Sequence, residues 1–312
     1  MSKRILITGG AGYLGSIAVP HLLAKGHQIT VIDNFLFKQN SLAHVCIDPN
    51  FNVINGDARN PDVVLPELKK ADIVIPLAAL VGAPICKKDP VGASTLNKDA
   101  IYMIFDHLSK AQWIIMPTTN SAYGTGDENN FCTEESPLNP ISLYAVEKVE
   151  VEKRLLEHEN SISFRLATVF GMAPRMRIDL LVNDFVYRAV HDRAVVLFES
   201  AFKRNYIHVR DVARAFEHGI NHFDEMKGEI FNVGLSDANL SKKELCEAIA
   251  KHISDFVFID APIGEDPDQR NYIVSNEKIE SQGYHPAFSL DMGIQELIKG
   301  YQMIKNNLYS NI

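Results

Sequence analysis

Cysteine, long apolar runs and positive charge are all in short supply in this 312-residue chain. Each shortage excludes something. The four cysteines, Cys46, Cys86, Cys132 and Cys246, are widely spaced and form no C-x-x-C pair. That pattern reads as reduced thiols, with neither a disulfide framework nor a zinc site. No stretch approaches the ~18 consecutive apolar residues of a membrane span. The apolar stretch ahead of Thr8 is three residues long, too short for the core of a signal peptide, so a cytoplasmic location is expected. Neither H-E-x-x-H nor G-x-S-x-G occurs, which removes the zinc-peptidase helix and the serine-hydrolase elbow. His218 and His222 stand four apart on an expected helix, but no pattern supplies a third metal ligand, so no metal is expected. The 31 Lys and Arg are outnumbered by 39 Asp and Glu, and the net charge of −8 argues against nucleic acid as a partner. An anionic small ligand would therefore need a local cluster of arginines.

What is present is an ordinary globular composition, 46% hydrophobic and 22% charged, in a chain long enough for a large core. Residues 5 to 15 read Ile-Leu-Ile-Thr-Gly-Gly-Ala-Gly-Tyr-Leu-Gly. A short apolar strand runs into Gly9, Gly10, Gly12 and Gly15, and an amphipathic stretch follows. Strand, glycine-rich turn and helix in that order form the phosphate-cradling start of a dinucleotide-binding βαβ unit. Both Gly10-x-Gly12-x-x-Gly15 and Gly9-x-x-Gly12-x-x-Gly15 fit the fingerprint. The helix start would turn N–H groups and a positive dipole end toward a pyrophosphate. The next apolar strand ends at Asp33, whose carboxylate suits an adenosine ribose and repels a 2′-phosphate. NAD is expected rather than NADP.

Strands are expected at Ile5–Thr8, Ile29–Asp33, Asn52–Asn55, Ile73–Leu77, Trp113–Pro117 and Ser163–Ala167, with helical stretches between them. Such alternation predicts an α/β fold with a doubly wound parallel sheet of the Rossmann type. After Gly171 helices and short strands mix less regularly. The expected division is residues 1–171 for the cofactor and 172–312 for a smaller mixed α/β substrate lobe, with possible chain exchange between the two.

Tyr144 and Lys148 stand at i and i+4, on one face of a helix for which Ser142 is a candidate N-cap. A phenol titrates near ~10, so a tyrosine acting as base at neutral pH must be shifted down by about 3 units, and a neighbouring lysine cation favours that. Thr119 lies just past a central strand, where open α/β sheets bind ligands. The charge run Glu147 to Glu159 reads as a solvated helix face.

Assembled, these residues make the chain resemble the extended short-chain dehydrogenases/reductases, specifically the nucleotide-sugar epimerases, dehydratases and dehydrogenases. The resemblance spans nearly the whole chain. It rests on residues 8–15, Asp33-Asn34, Gly56 to Arg59, Leu77 to Ala79, Thr119 to Gly124, Tyr144 to Lys148, Arg165 to Gly171 and Arg204 to Val212. It implies Tyr144 as catalytic base, Lys148 on the nicotinamide ribose and lowering the Tyr144 pKa, and Thr119 on the reacting sugar oxygen. Around NAD it implies Gly9, Gly12, Tyr13, Leu14, Gly15, Asp33, Asn34, Asp57, Ala58, Leu77, Ala78, Ala79 and Asn97. Around a nucleotide-diphosphate sugar it implies Val81, Gly82, Ser121, Arg177, Asn183, Arg204 and Arg270, the last two on the pyrophosphate. It also implies a homodimer or higher homo-oligomer, with Val149, Leu155 and Leu156 toward a helix-pair interface.

Three departures bear on the chemistry. Asn120 and Ser121 replace the Asp-Glu pair with which the 4,6-dehydratases eliminate water, so dehydration is not expected. Thr168 stands where the family often has Asn, and Pro76 where it often has His. The segments Val81–Cys86, Arg175–Phe185 and Gly264–Asp268 resemble the GDP-heptose 4-dehydrogenases of bacterial capsular polysaccharide synthesis. The expected activity is NAD-dependent oxidation at C4 of a nucleotide sugar, a GDP-heptose on that narrower resemblance. The alternatives are a 4-epimerase working through the same oxidation and a non-catalytic NAD-binding regulator. Regulators on this fold usually lose the tyrosine or the lysine, and this chain keeps both.

Overall fold

The computed structural model describes residues 2–125, 131–261 and 270–304. Seven parallel strands form the main sheet: β1 (Arg4–Thr8), β2 (Gln28–Asp33), β3 (Phe51–Asn55), β4 (Ile73–Pro76), β5 (Trp113–Thr119), β6 (Ser161–Leu166) and a seventh, Glu229–Val233. Their spatial order is Glu229–Val233, β6, β5, β4, β1, β2, β3. The order reverses between β1 and β4, where Thr8 pairs with Pro76. Crossovers leave that point in opposite directions, and a crevice opens at the strand ends there.

Side chains alternate across the strands and supply two cores. Ile5, Ile7, Val31, Ile73, Ile75, Ile115 and Phe164 pack on one face with Ala18, Val19 and Leu22 of the first helix, Gly15–Ala24. Leu6, Ile32, Val74, Ile114 and Met116 pack on the other with Ile101, Ile104, Val151 and Leu155. Strands buried on both faces give the near-continuous Ile/Val/Leu runs of the sequence.

Beyond Leu166 the pairing becomes non-local. A β7 strand (Thr168–Phe170) pairs in parallel with Lys203–His208, which pairs antiparallel with Asn239–Ser241. A separate parallel pair joins Ala194–Leu197 to Val257–Asp260. The main sheet takes its edge strand, Glu229–Val233, from beyond the boundary expected at residue 171, and the helix Val209–Asn221 packs on the first helix.

The helix Leu143–Leu155 corrects two expectations. Its charge run is solvated only in part: Glu150, Lys153, Glu157 and Glu159 are exposed, but Glu147 and Glu152 are buried. Val149 and Leu155 are buried within the chain itself, and Leu155 belongs to the second core. The stripe that carries Lys148 and Glu152 lies against the sheet.

Candidate active site

A cavity of about 850 Å³ opens at the switch point. The glycine turn forms one wall. Gly9 takes the left-handed conformation (φ 70°), and a Cβ there would stand 2.5 Å from the backbone nitrogen of Ala78. A Cβ on Gly15 would stand 2.3 Å from the carbonyl oxygen of Gly10. The turn is therefore pressed against the backbone of Leu77–Ala78, and only glycine permits it. Asp33 binds this turn directly. Its carboxylate accepts the Ala11 N–H at 2.9 Å and the Phe35 N–H at 2.8 Å. Each carboxylate oxygen has about two lone-pair sites, so one on each side remains for a ligand hydroxyl. Burial raises the Asp33 pKa.

The opposite wall carries Thr119, Tyr144 and Lys148. Ser142 caps the helix as expected, accepting the Ala145 N–H at 3.3 Å. Lys148 Nζ donates to the Pro117 carbonyl at 3.4 Å and lies 5.9 Å from the centre of the Tyr144 ring. The Thr119 hydroxyl donates to Ser121 Oγ at 2.9 Å and accepts the Ser121 N–H at 3.1 Å. Arg270 donates to the same Ser121 hydroxyl. Burial pushes Tyr144 up to about 12, opposed by the Arg177 and Arg270 charges. Burial also pulls Lys148 down to about 8, with the Glu147 carboxylate opposing. The ammonium is bonded at the end of β5 while remaining beside the Tyr144 ring.

The side chains at 144, 148 and 152 follow one stripe of the helix. Below the reactive pair, Glu152 accepts from Arg165 Nη2 at 2.6 Å and Nε at 3.1 Å, from Thr118 at 2.9 Å and from Ser163 at 2.7 Å. Arg165 donates onward to Tyr123 Oη at 3.0 Å, and Tyr123 donates to Asn232 at 2.7 Å. The network ties the catalytic helix to the ends of three strands. Its residue types carried no spacing signal, because the partners come from separate crossovers.

Eight Lys or Arg and four Asp line the cavity. That surplus inside an acidic chain meets the need for a local cationic cluster. Arg204 is buried, with Cζ 5.8 Å from the Tyr272 ring centre. Arg177 is clasped by Asp179 and donates to the Val81 carbonyl at 3.3 Å.

A sequence profile described as the NAD dependent epimerase/dehydratase family matches residues 5–234. The chain belongs to this family. A low-salt glycan biosynthesis protein, Agl12, from Haloferax volcanii is 24% identical over 318 residues, covering 95% of this chain and 98% of the relative. A putative UDP-glucose 4-epimerase from Methanocaldococcus jannaschii is 26% identical over 318 residues, covering 97% and 99%. Among solved structures, the Bacillus cereus UDP-glucuronic acid 4-epimerase in complex with UDP-glucuronic acid and NAD is similar, with a TM-score of 0.85. Its identity is 21%, and the match covers 97% of this chain and 100% of that one. The Thermus thermophilus UDP-glucose 4-epimerase in complex with NAD gives 0.83 at 22% identity, covering 97% and 100%.

NAD is the cofactor of this epimerase/dehydratase family, and the residues present fit it. The glycine cradle has no room for added side chains at Gly9 or Gly15, and Asp33 keeps acceptor sites beside it. Gly9, Gly12, Tyr13, Leu14, Gly15, Asp33, Asn34, Asp57, Ala58 and Leu77 to Ala79 all line the cavity, as do Val81, Gly82, Ser121, Arg177, Arg204 and Arg270. Two expected site residues do not. Asn97 sits behind the wall, accepting the Leu80 N–H at 2.8 Å and donating to the Leu80 carbonyl at 3.0 Å. Asn183 accepts the Gly171 N–H at 3.0 Å and donates to the Arg177 carbonyl at 2.8 Å and to Tyr13 Oη at 3.2 Å. Both shape the backbone that faces the ligand.

The structure adds Arg175 and Lys242 to the lining, neither of which sequence reading had placed there. Arg175 Cζ lies 3.9 Å from the centre of the Phe37 ring, joining the segment after Gly171 to the loop after Asp33. A basic Pro174-Arg175-Met176-Arg177 run was the available signal. Among the described residues no group of three His, Cys, Asp or Glu could hold a metal, and no helix is long and apolar enough to cross a membrane.

Proposed function

We propose that the protein oxidises C4 of a nucleotide-diphosphate sugar. The observation that carries this reading is one cavity lined by the glycine turn, the Thr119, Tyr144 and Lys148 set, and a cluster of arginines. Bound NAD supplies the hydride acceptor and a cationic ring. The Tyr144 phenolate takes the proton of the C4 hydroxyl as hydride leaves the carbon. Thr119 Oγ1 orients that hydroxyl. Lys148, anchored at the Pro117 carbonyl, reaches the nicotinamide ribose. Arg204 and Arg270 pair with the sugar pyrophosphate, since guanidinium matches phosphate geometry. Dehydration lacks its machinery here. Asn120 is a fully buried carboxamide, neither acid nor base, and Ser121 is bonded to Thr119 and Arg270.

The proposed substrate is a GDP-heptose, consumed in the cytoplasm for bacterial capsular polysaccharide. The Val81–Cys86 and Arg175–Phe185 segments support this; Gly264–Asp268, the third, lies outside the described residues. A 4-epimerase is the second reading, favoured by the epimerases among the similar proteins. Incubation with GDP-heptose, UDP-glucose and UDP-glucuronic acid separates them. A released 4-keto sugar with stoichiometric NADH supports the dehydrogenase. An inverted C4 without net NADH supports the epimerase. Absence of turnover with every nucleotide sugar tried would refute both.

A further inference from the structure

We propose that Arg175 is a cofactor-binding residue that pairs with the diphosphate of NAD beside the glycine turn. Arg175 belongs to the segment after Gly171, yet its contacts lie on the cofactor side. Its backbone N–H donates to Ser16 Oγ at 3.3 Å, and that hydroxyl donates to the Tyr13 carbonyl at 3.1 Å. Ser16 stands in the first turn of the helix Gly15–Ala24. At its other end the Arg175 guanidinium lies over the Phe37 ring, with Cζ 3.9 Å from the ring centre. The side chain thus reaches from the start of the first helix to the loop after Asp33. These two elements flank the glycine turn, and Asp33 is itself bonded to the turn at the Ala11 N–H. Arg175 is 2% exposed and lines the cavity together with Gly9, Gly12 and Gly15.

Charge gives the reason for an arginine here. The diphosphate of NAD carries two negative charges at neutral pH, and a helix N-terminus offers the equivalent of about half a positive one. The Asp33 carboxylate, suited to the ribose, adds a further negative charge at the same end. The turn by itself therefore leaves more than one charge unmatched. Arg175 supplies a cation in a place screened from water, and a guanidinium matches paired phosphate oxygens. Other cations lining the cavity are placed for different work. Arg177 is held by Asp179, Arg270 is bonded to Ser121 beside Thr119, and Lys148 is bonded to the Pro117 carbonyl. Lys38 and Lys87 are exposed. Arg175 Nη1 donates to the Met176 carbonyl, a neutral acceptor, which fixes the guanidinium without cancelling its charge. The Phe37 ring supports the same group by a cation–π contact.

The test measures binding with no sugar present, so its outcome is independent of the reading of Tyr144 as base. NAD and ADP-ribose, which carry the diphosphate, are titrated by calorimetry. Adenosine, which lacks it, is added at millimolar concentration in a thermal-shift assay. Arg175→Met is expected to weaken NAD and ADP-ribose by ~10–100-fold, the range of a hydrogen bond to a charged group. The adenosine shift is expected to stay at its wild-type value. Phe37→Leu removes the supporting ring and should weaken NAD by a smaller factor, ~2–5-fold. Arg175→Gln serves if the methionine variant does not fold. Undiminished NAD binding in the neutral variants would overturn the proposal. So would an equal loss for adenosine, because Arg175 would then shape the pocket wall and not bind the diphosphate.

Discussion

Replacing Arg165 by methionine tests whether the buried network below Tyr144 holds the catalytic helix in place. Arg165 is 3% exposed and Glu152 4%. Removing the guanidinium takes away both charged donors to Glu152 and leaves its carboxylate with the Thr118 and Ser163 hydroxyls. Breaking a buried pair from one side costs about 3–5 kcal/mol, because the surviving charge stays desolvated. With ~2.1 cal/mol/K of unfolding entropy per residue, a chain of this length loses ~1.5 °C per kcal/mol. Arg165→Met should therefore melt ~5–8 °C below wild type by calorimetry. Replacing both partners removes the stranded charge, so Glu152→Leu with Arg165→Met should recover most of the stability. A melting loss under about 1 °C, or a double variant as unstable as the two singles summed, would refute the account.

Tyr144→Phe should lower turnover by about 10²–10⁴, the usual contribution of a general base, while NAD still raises the melting temperature; a smaller loss in steady-state assays removes Tyr144 from that role. Lys148→Met should be more stable than wild type yet inactive. The fall from 10.5 to about 8 means the folded state disfavours the ammonium by ~3 kcal/mol. That penalty applies below pH 8 and vanishes as pH rises toward 10.5, so the gap between the two melting curves should close over that window; a lysine variant that melts lower at pH 7 contradicts the direction. Gly9→Ala forces a Cβ to 2.5 Å from the Ala78 nitrogen at a φ of 70°. Stabilisation by NAD at ~100 times its dissociation constant, worth about 2.7 kcal/mol, should disappear in this variant; an unaltered NAD shift in differential scanning fluorimetry would show that the turn tolerates the side chain.

The legible parts of the sequence were those fixed by short-range geometry. An apolar strand running into Gly9 to Gly15 can do little but turn into a helix start, and Asp33 follows one crossover later. Tyr144 and Lys148 share a face because the helix repeats every ~3.6 residues. Strands β1, β2, β4 and β5 showed because burial leaves runs of Ile and Val, whereas the edge strand β3 is half-exposed and β6 alternates apolar residues with Ser and Arg. Tertiary structure alone decided which face of the Leu143–Leu155 helix meets the sheet. That choice buried Glu147 and Glu152 within a run of charges that resembled a solvated surface. It also decided that Asn97 and Asn183 stand behind the cavity wall and that Glu229–Val233 returns to the main sheet. A side chain's charge is written in the sequence, but its effect depends on distance and desolvation. Both are set by segments that meet only when the chain folds.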